Sequence, residues 1–173
     1  STTAVYCNDR SNPAGGYNTG NSTFYYGAYT RLTSNKKTPS YDCATTEDKF
    51  TVDSRTGNGK LTYPIALMTA DEVSFAGGLY GNNAQTWYYY NSAKGSSTGD
   101  TKWWLLSPNY WYGYSAIVFR VFGSSTRGDL YFDDVYRTLG VRPAVSLKSC
   151  VKTSGGDGSA SDPYTIKETT SGC

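Results

Sequence analysis

A chain of 173 residues with a formal net charge of +2 has room for one domain with a real core and too little for two comfortable ones, and it lacks the basic field that a nucleic-acid binder needs. It contains no histidine, which removes Ser-His-Asp and Cys-His catalysis and counts against a metal site. With 17 Tyr, 4 Trp and 19 Gly it has instead the palette of binding loops, where Tyr and Trp give stiff contact area and Gly, Ser and Asn adapt to the partner.

Residues 1–60 are polar and rich in Gly, Asn, Ser and Thr. Within them 24–32 (Phe-Tyr-Tyr-Gly-Ala-Tyr-Thr-Arg-Leu) reads as a strand, and Lys36-Lys37-Thr38-Pro39 as a turn. A turn at Gly57-Asn58-Gly59 leads into a largely apolar strand over 61–68. Thr69-Ala70-Asp71-Glu72 has the form of a capping box, Thr as N-cap and Glu three residues on. Val73, Phe75 and Ala76 continue that helix and Gly77-Gly78 ends it. The two acids suit its first turn on dipole grounds. A second short helix is predicted over 83–90, where Tyr88-Tyr89-Tyr90 also suits a strand, and 95–100 is a loop. A strand over 102–106 is ended by Ser107-Pro108 and followed by a short aromatic loop over 109–113. Strands over 116–122 and 129–135 flank a hairpin-like connection at 123–128. A last strand covers 140–147, ahead of a Gly/Ser/Asp-rich stretch at 153–162.

Cys7, Cys43, Cys150 and Cys173 are too widely spaced for a metal or redox C-x-x-C motif, so they read as structural disulfides of an oxidising compartment. Three connectivities are possible. Cys7–Cys43 with Cys150–Cys173 is favoured, because each closes a short Gly/Ser/Asn-rich loop. No apolar run approaches the ~20 residues of a membrane span, and no signal peptide is present. The chain therefore reads as a mature or truncated ectodomain, extracellular, its targeting segment removed.

The 116–137 region carries the candidate site. Ala116, Val118, Val121, Leu130 and Val135 are the apolar positions expected to be buried. The interleaved Ile117, Phe119, Arg120, Phe122, Asp129, Tyr131, Asp133, Asp134, Tyr136 and Arg137 then face solvent. Together with Asn109, Tyr110, Trp111, Tyr112, Tyr114 and Arg127 they form a candidate ligand-binding segment, 109–137, since Tyr, Trp and Arg supply most interface hot spots. The competing reading is that Phe119 and Phe122 belong to the core. Catalytic and metal alternatives are weaker. Asp133 and Asp134 are adjacent, so on a strand they point to opposite faces. Asp157 and Asp162 would need a third convergent oxygen for Ca²⁺. Gly155-Gly156-Asp157-Gly158 lacks the Lys and the helix of a phosphate loop. Asn21-Ser22-Thr23 matches the glycosylation sequon. No catalytic residue, metal or cofactor is assigned, and the chain is expected not to be an enzyme.

Several motifs in order resemble a known group. Trp104-Leu105-Leu106-Ser107-Pro108, Gly128-Asp129-Leu130, Gly140-Val141-Arg142-Pro143-Ala144-Val145-Ser146-Leu147 and Asp162-Pro163-Tyr164-Thr165-Ile166 together resemble a bacterial domain related to the C-type lectin and formylglycine-generating folds. Gly140-Val141-Arg142 looks like the Gly-Phe-Arg signature near the end of that superfamily. The stretches 25–32 and 61–73 are similar to ectodomains of prepilin-type surface proteins of gut Firmicutes. The resemblance implies one α+β domain over 1–173 of C-type-lectin-like fold, with a small twisted, mostly antiparallel sheet, one or two helices and long disulfide-supported loops. It also implies that 109–137 occupies the place of a variable region written by a diversity-generating retroelement, although Trp111 is not a product expected of such mutagenesis. The Glu-Pro-Asn and Trp-Asn-Asp calcium motifs of sugar-binding animal lectins are absent, as is the reactive cysteine pair of the formylglycine-generating enzymes. The expected function is a surface-displayed, pilin-like adhesin that binds a protein or glycan on a cell or host surface. The alternatives are a structural pilus subunit, joined to its neighbours through an N-terminal helix missing here, and, far behind, a formylglycine-generating-type enzyme.

Overall fold

The computed structural model describes residues 3–11, 23–33, 37–53, 61–81, 102–122, 128–159, 161–169 and 173. In chain order its elements are β1 (Val5–Cys7), β2 (Phe24–Tyr25), α1 (Gly27–Leu32), a 3-10 turn (Thr46–Asp48), β3 (Lys49–Thr51), β4 (Ile65–Leu67), α2 (Ala70–Ala76), β5 (Trp103–Tyr112), β6 (Ser115–Val121), β7 (Leu130–Asp134), β8 (Pro143–Val145), β9 (Thr153–Gly155) and β10 (Thr165–Ile166). The architecture is α+β, and every strand ladder is antiparallel.

The central sheet runs β2-β5-β6-β7, and three two-stranded ladders, β1-β3, β4-β8 and β9-β10, surround it. One face of the central sheet offers Trp103, Leu105, Phe119, Val121 and Leu130, and both helices pack there through Ala28 and Leu32 of α1 and Ala70 and Val73 of α2. Period-two alternation in the strands meets a four-residue spacing in α1, as burial of one face and one stripe requires. α2 is specified locally. The Thr69 hydroxyl accepts from the Glu72 N–H at 3.1 Å, the Glu72 carboxylate accepts from the Thr69 N–H at 2.7 Å, and Gly77 ends the helix at φ 116, where a side chain would be strained. Ser107, buried on β5, accepts a further helix N–H, that of Ala70, at 3.0 Å.

Several expectations are corrected. The stretch 24–32 is a strand for two residues only and then a helix. Its aromatic and β-branched residues favour strand locally, but only a helical turn buries Ala28 with Leu32 and turns Arg31 to its acidic partners. The break expected at Ser107-Pro108 does not occur, and β5 continues through the predicted aromatic loop to Tyr112. Pro108 is tolerated where the β5–β6 ladder is irregular, with register shifts on both sides of it. The burial phase of the hairpin is also reversed in part. Ile117 and Phe119 are buried beside Val121 and Leu130, Phe119 completely at 0%, whereas Val135 is 51% exposed, because Trp103 pairs with Val121 and so turns the odd positions of β6 to the helices. The strands over 61–68 and 140–147 shorten to β4 and β8, which pair with each other. The turn at 57–59, the helix over 83–90, the loop at 95–100, Arg127 and most of the 123–128 connection, and the Asn21 of the sequon lie outside the described residues.

Cys7 is bonded to Cys43 and Cys150 to Cys173, the pairing favoured from loop length. Two intramolecular disulfides are the mark of a secreted or extracellular protein.

Candidate aromatic binding face

The site begins at an irregularity in β5. Trp103, Leu105, Ser107 and Asn109 alternate onto the helix-covered side and are all buried. Between Pro108 and Tyr110 the ladder gains one residue, since Pro108 pairs with Val118 but Tyr110 with Ile117. A bulge of this kind re-aims every side chain beyond it. Tyr110 and Tyr112 consequently share the side of Ile117 and Ser115, and Trp111 goes to the other side with Ala116. Gly113, at φ 58, opens the two-residue turn into β6 and leaves Tyr114 projecting at 83% exposure, consistent with the need for positive φ in tight hairpins.

Rings from several other elements join those at this end of β5. Tyr25 of β2 stacks on Tyr29 of α1, four residues on, at 4.1 Å between centroids, and both contact Tyr110 at 5.7 and 6.0 Å. Tyr110 meets Tyr112 nearly edge-on at 6.4 Å and 88°, and Tyr112 meets Tyr114 at 5.6 Å. On the other flank Tyr110 meets Phe132 at 5.4 Å, Phe132 lies against Tyr131 and Tyr80 at 4.6 and 6.1 Å, and Tyr131 meets Phe122 at 5.2 Å. Seven tyrosines (25, 29, 80, 110, 112, 114, 131) and two phenylalanines (122, 132) thus form one unbroken network of ring contacts, of which Tyr25, Tyr112 and Tyr114 are exposed. Burial, followed by the charge of Tyr131, pushes the Tyr80 phenol up to about 12. Burial and then the charge of Asp134 raise that of Tyr110, and burial raises Tyr25.

The predicted site residues divide accordingly. Tyr110, Tyr112, Tyr114, Phe122 and Tyr131 belong to this network. Asp134 lies at its edge, where its carboxylate accepts from the Ser115 hydroxyl at 2.6 Å. Tyr136 and Arg137 are exposed beyond β7. Asn109, Ile117, Phe119, Arg120 and Asp129 are buried rather than facing solvent. Arg120 is the clearest correction. It is 4% exposed, donates from Nε to Phe132 O at 3.1 Å and Asp133 Oδ2 at 3.0 Å, and lies 4.0 Å from the Phe122 ring centroid. Its burial lowers the guanidinium pKa against the pull of Asp133. Asp133 also faces Arg137 at 3.9 Å, so it serves the sheet edge. Trp111 pairs across to Phe24 and Ala116 on the opposite side.

Sequence reasoning missed Tyr25, Tyr29, Tyr80 and Phe132. The four-residue spacing of Tyr25 and Tyr29 was a usable signal; nothing local marks Tyr80.

A second group of charges lies near the Cys7–Cys43 disulfide. Arg31 donates from Nε to Asp71 Oδ1 at 3.0 Å and from Nη2 to Asp71 Oδ2 at 2.8 Å and Asp9 Oδ2 at 2.5 Å. Asp71, read from sequence only as a helix-dipole acid, is buried here and also accepts from the Ser40 N–H at 2.9 Å. Burial opposes the charge on Arg31, but its bonds to Asp71 and Asp9 outweigh that and raise its pKa. Asp9 loses more from burial than Arg31 returns, and its carboxyl is raised above the usual range. A cavity of about 110 Å³ adjoins this cluster, lined in part by Tyr6, Ser40, Tyr41 and Glu72. The arrangement ties the N-terminal segment to both helices. Among the described residues no cluster of three His, Cys, Asp or Glu side chains is placed to hold a metal ion.

No protein-family model, no curated protein and no solved structure matches this chain.

Proposed function

We propose that this chain is a surface-displayed ligand-binding domain, a pilin-like adhesin of C-type-lectin-like fold, that holds its ligand against the aromatic surface and carries out no chemistry on it. The observation that carries this reading is the continuity of nine rings, with Tyr112 51% and Tyr114 83% exposed at its open end. Rigid amphipathic rings of this kind are the anchors of protein and glycan interfaces. The two disulfides suit display outside the cell. If the segment 109–137 is diversified, burial restricts the tolerated positions to exposed ones such as Tyr112, Tyr114, Tyr136 and Arg137, and excludes Ile117, Phe119 and Arg120.

The test is binding of the purified protein to arrayed glycans and to bacterial and host cell surfaces, beside a Tyr112→Ala/Tyr114→Ala variant. Saturable binding is expected to be lost in a variant whose circular dichroism and melting are unchanged. Binding retained in that variant would move the ligand site off this face.

One observation favours the filament-subunit reading. Ile65 of β4 faces Val145 of β8 in register, and both are exposed, as are Val141 and Leu147 on alternate positions of the same stretch. On that reading, fusion to an apolar N-terminal helix yields assemblies that Val145→Lys prevents, while surface binding by the monomer is absent.

A further inference from the structure

We infer that the corner between Tyr110, Tyr112 and Asp134 takes an alkylated ammonium group carried by the partner. This rests on the aromatic face being the ligand site and names the chemistry it selects. Tyr110, Ile117 and Asp134 lie side by side on three neighbouring strands and share one side of the sheet. Ile117 is buried between the other two and supplies an apolar floor. Tyr112 and Ser115 form the next row. The Tyr110 and Tyr112 rings stand edge to face, 88° apart at 6.4 Å between centroids, on this same side of the sheet. The negative ring face attracts a cation, and a compact, weakly hydrated ammonium is the best suited.

Charge selects the same class. Asp133 is offset by Arg120 and Arg137. Asp134 has no cationic partner among the described residues, and its contact on this side is the Ser115 hydroxyl. The Asp134 charge is the second cause of the upward shift of the Tyr110 phenol, behind burial, which places that charge close to the ring. An anionic ligand would be repelled here. A neutral ligand would leave the carboxylate unused, whereas an ammonium meets carboxylate and ring faces together. Arg120 points to the other side of the sheet, where it pairs with Asp133, and Lys102 and Arg120 both lie over Phe122.

The experiment is an NMR titration of the intact chain with choline and, separately, with its neutral isostere 3,3-dimethylbutan-1-ol. The readouts are the Ile117 methyl and the aromatic resonances, followed in the native protein and in Asp134→Asn, Tyr112→Phe and Tyr112→Ala. Choline is expected to shift the Ile117 methyl saturably and to bind about five- to thirty-fold more tightly than the isostere, the range a desolvated cation–π contact supports. Asp134→Asn should remove most of that preference, Tyr112→Phe should keep it, and Tyr112→Ala should weaken choline binding. Raising the salt concentration should weaken choline and leave the isostere unchanged. Equal binding of the two probes, or choline binding indifferent to both Asp134→Asn and Tyr112→Ala, overturns the ammonium assignment. Absence of choline binding alongside Tyr112-dependent binding to surfaces overturns it too, and leaves the aromatic site standing. Loss of every Tyr112-dependent interaction removes the site itself.

Discussion

Arg31 is the residue on which the buried charge of this protein turns, because its guanidinium is the shared partner of two buried carboxylates, Asp9 and Asp71. Removing one member of a buried ion group leaves uncompensated charge and typically costs about 3–5 kcal/mol. Arg31→Met is therefore expected to lower urea-unfolding stability by about 3 kcal/mol, whereas Tyr114→Ala, at an exposed turn, should change it by less than about 0.5 kcal/mol. The same residues set the pH response. Asp9 has a native pKa above its ordinary value, so between the two values the folded state holds more protons than the unfolded one. Its contribution consequently falls as pH rises through that window. Tyr80 acts in the same sense at the alkaline end. With its phenol pushed from 10.0 up to about 12, the folded state keeps a proton that the unfolded chain gives up, and stability is lost as pH climbs across that interval. Ultraviolet titration of the phenolate band should show a late-ionising tyrosine that disappears in Tyr80→Phe. If every tyrosine of the native protein ionises near the ordinary value, the packing of Tyr80 against Tyr131 and Phe132 is wrong.

At the scale of elements, α2 and β5 show opposite ways of specifying structure. α2 is written locally, in a reciprocal pair of hydrogen bonds at its start and a left-handed glycine at its end. Thr69→Ala is expected to cost about 1 kcal/mol. Gly77→Ala should cost a similar amount, about 1 kcal/mol, because alanine is strained at φ 116. Both are read as shifts of the denaturant midpoint at constant slope. β5 is decided by its neighbours. A proline and a register shift would end an isolated strand, yet β2 on one side and β6 on the other carry it to Tyr112. The shift at Asn109 and Tyr110 then decides which tyrosines share the side of Ile117.

Over the whole molecule the two disulfides have unequal reach. Cys7–Cys43 closes a separation of 36 residues and ties β1 to the segment that leads into the 3-10 turn and β3. Replacing both cysteines with serine is expected to cost about 4 kcal/mol on a chain-entropy argument. Cys150–Cys173 closes 23 residues around the β9–β10 ladder, most of whose side chains are exposed. Its removal should leave the unfolding midpoint of the central sheet unchanged while exposing the C-terminal segment to limited proteolysis. A large fall in that midpoint would mean that β9 and β10 support the core.

What could be read from the sequence alone was whatever depends on neighbours in the chain. The α2 capping box and its glycine stop, the β6 and β7 strands, the favoured cysteine pairing and an aromatic cluster around Tyr110 and Tyr112 all rest on short-range chemistry or composition. Which residues join the aromatic network was not legible, because it depends on strand phase. A single inserted residue between Pro108 and Tyr110 reverses the side to which Tyr110 and Tyr112 point, and pairing of Trp103 with Val121 sends Phe119 inward and leaves Arg120 among Phe122, Tyr131 and Asp133. The helix at 27–32 belongs to the same category, since local propensity favours a strand and only the burial of Ala28 and Leu32 with the reach of Arg31 to Asp9 and Asp71 favours a helix. Local propensities are small in energy, while burying a whole face and pairing a buried charge involve several kcal/mol. That difference in magnitude is why tertiary structure decided the phase, the helix and therefore the composition of the aromatic network.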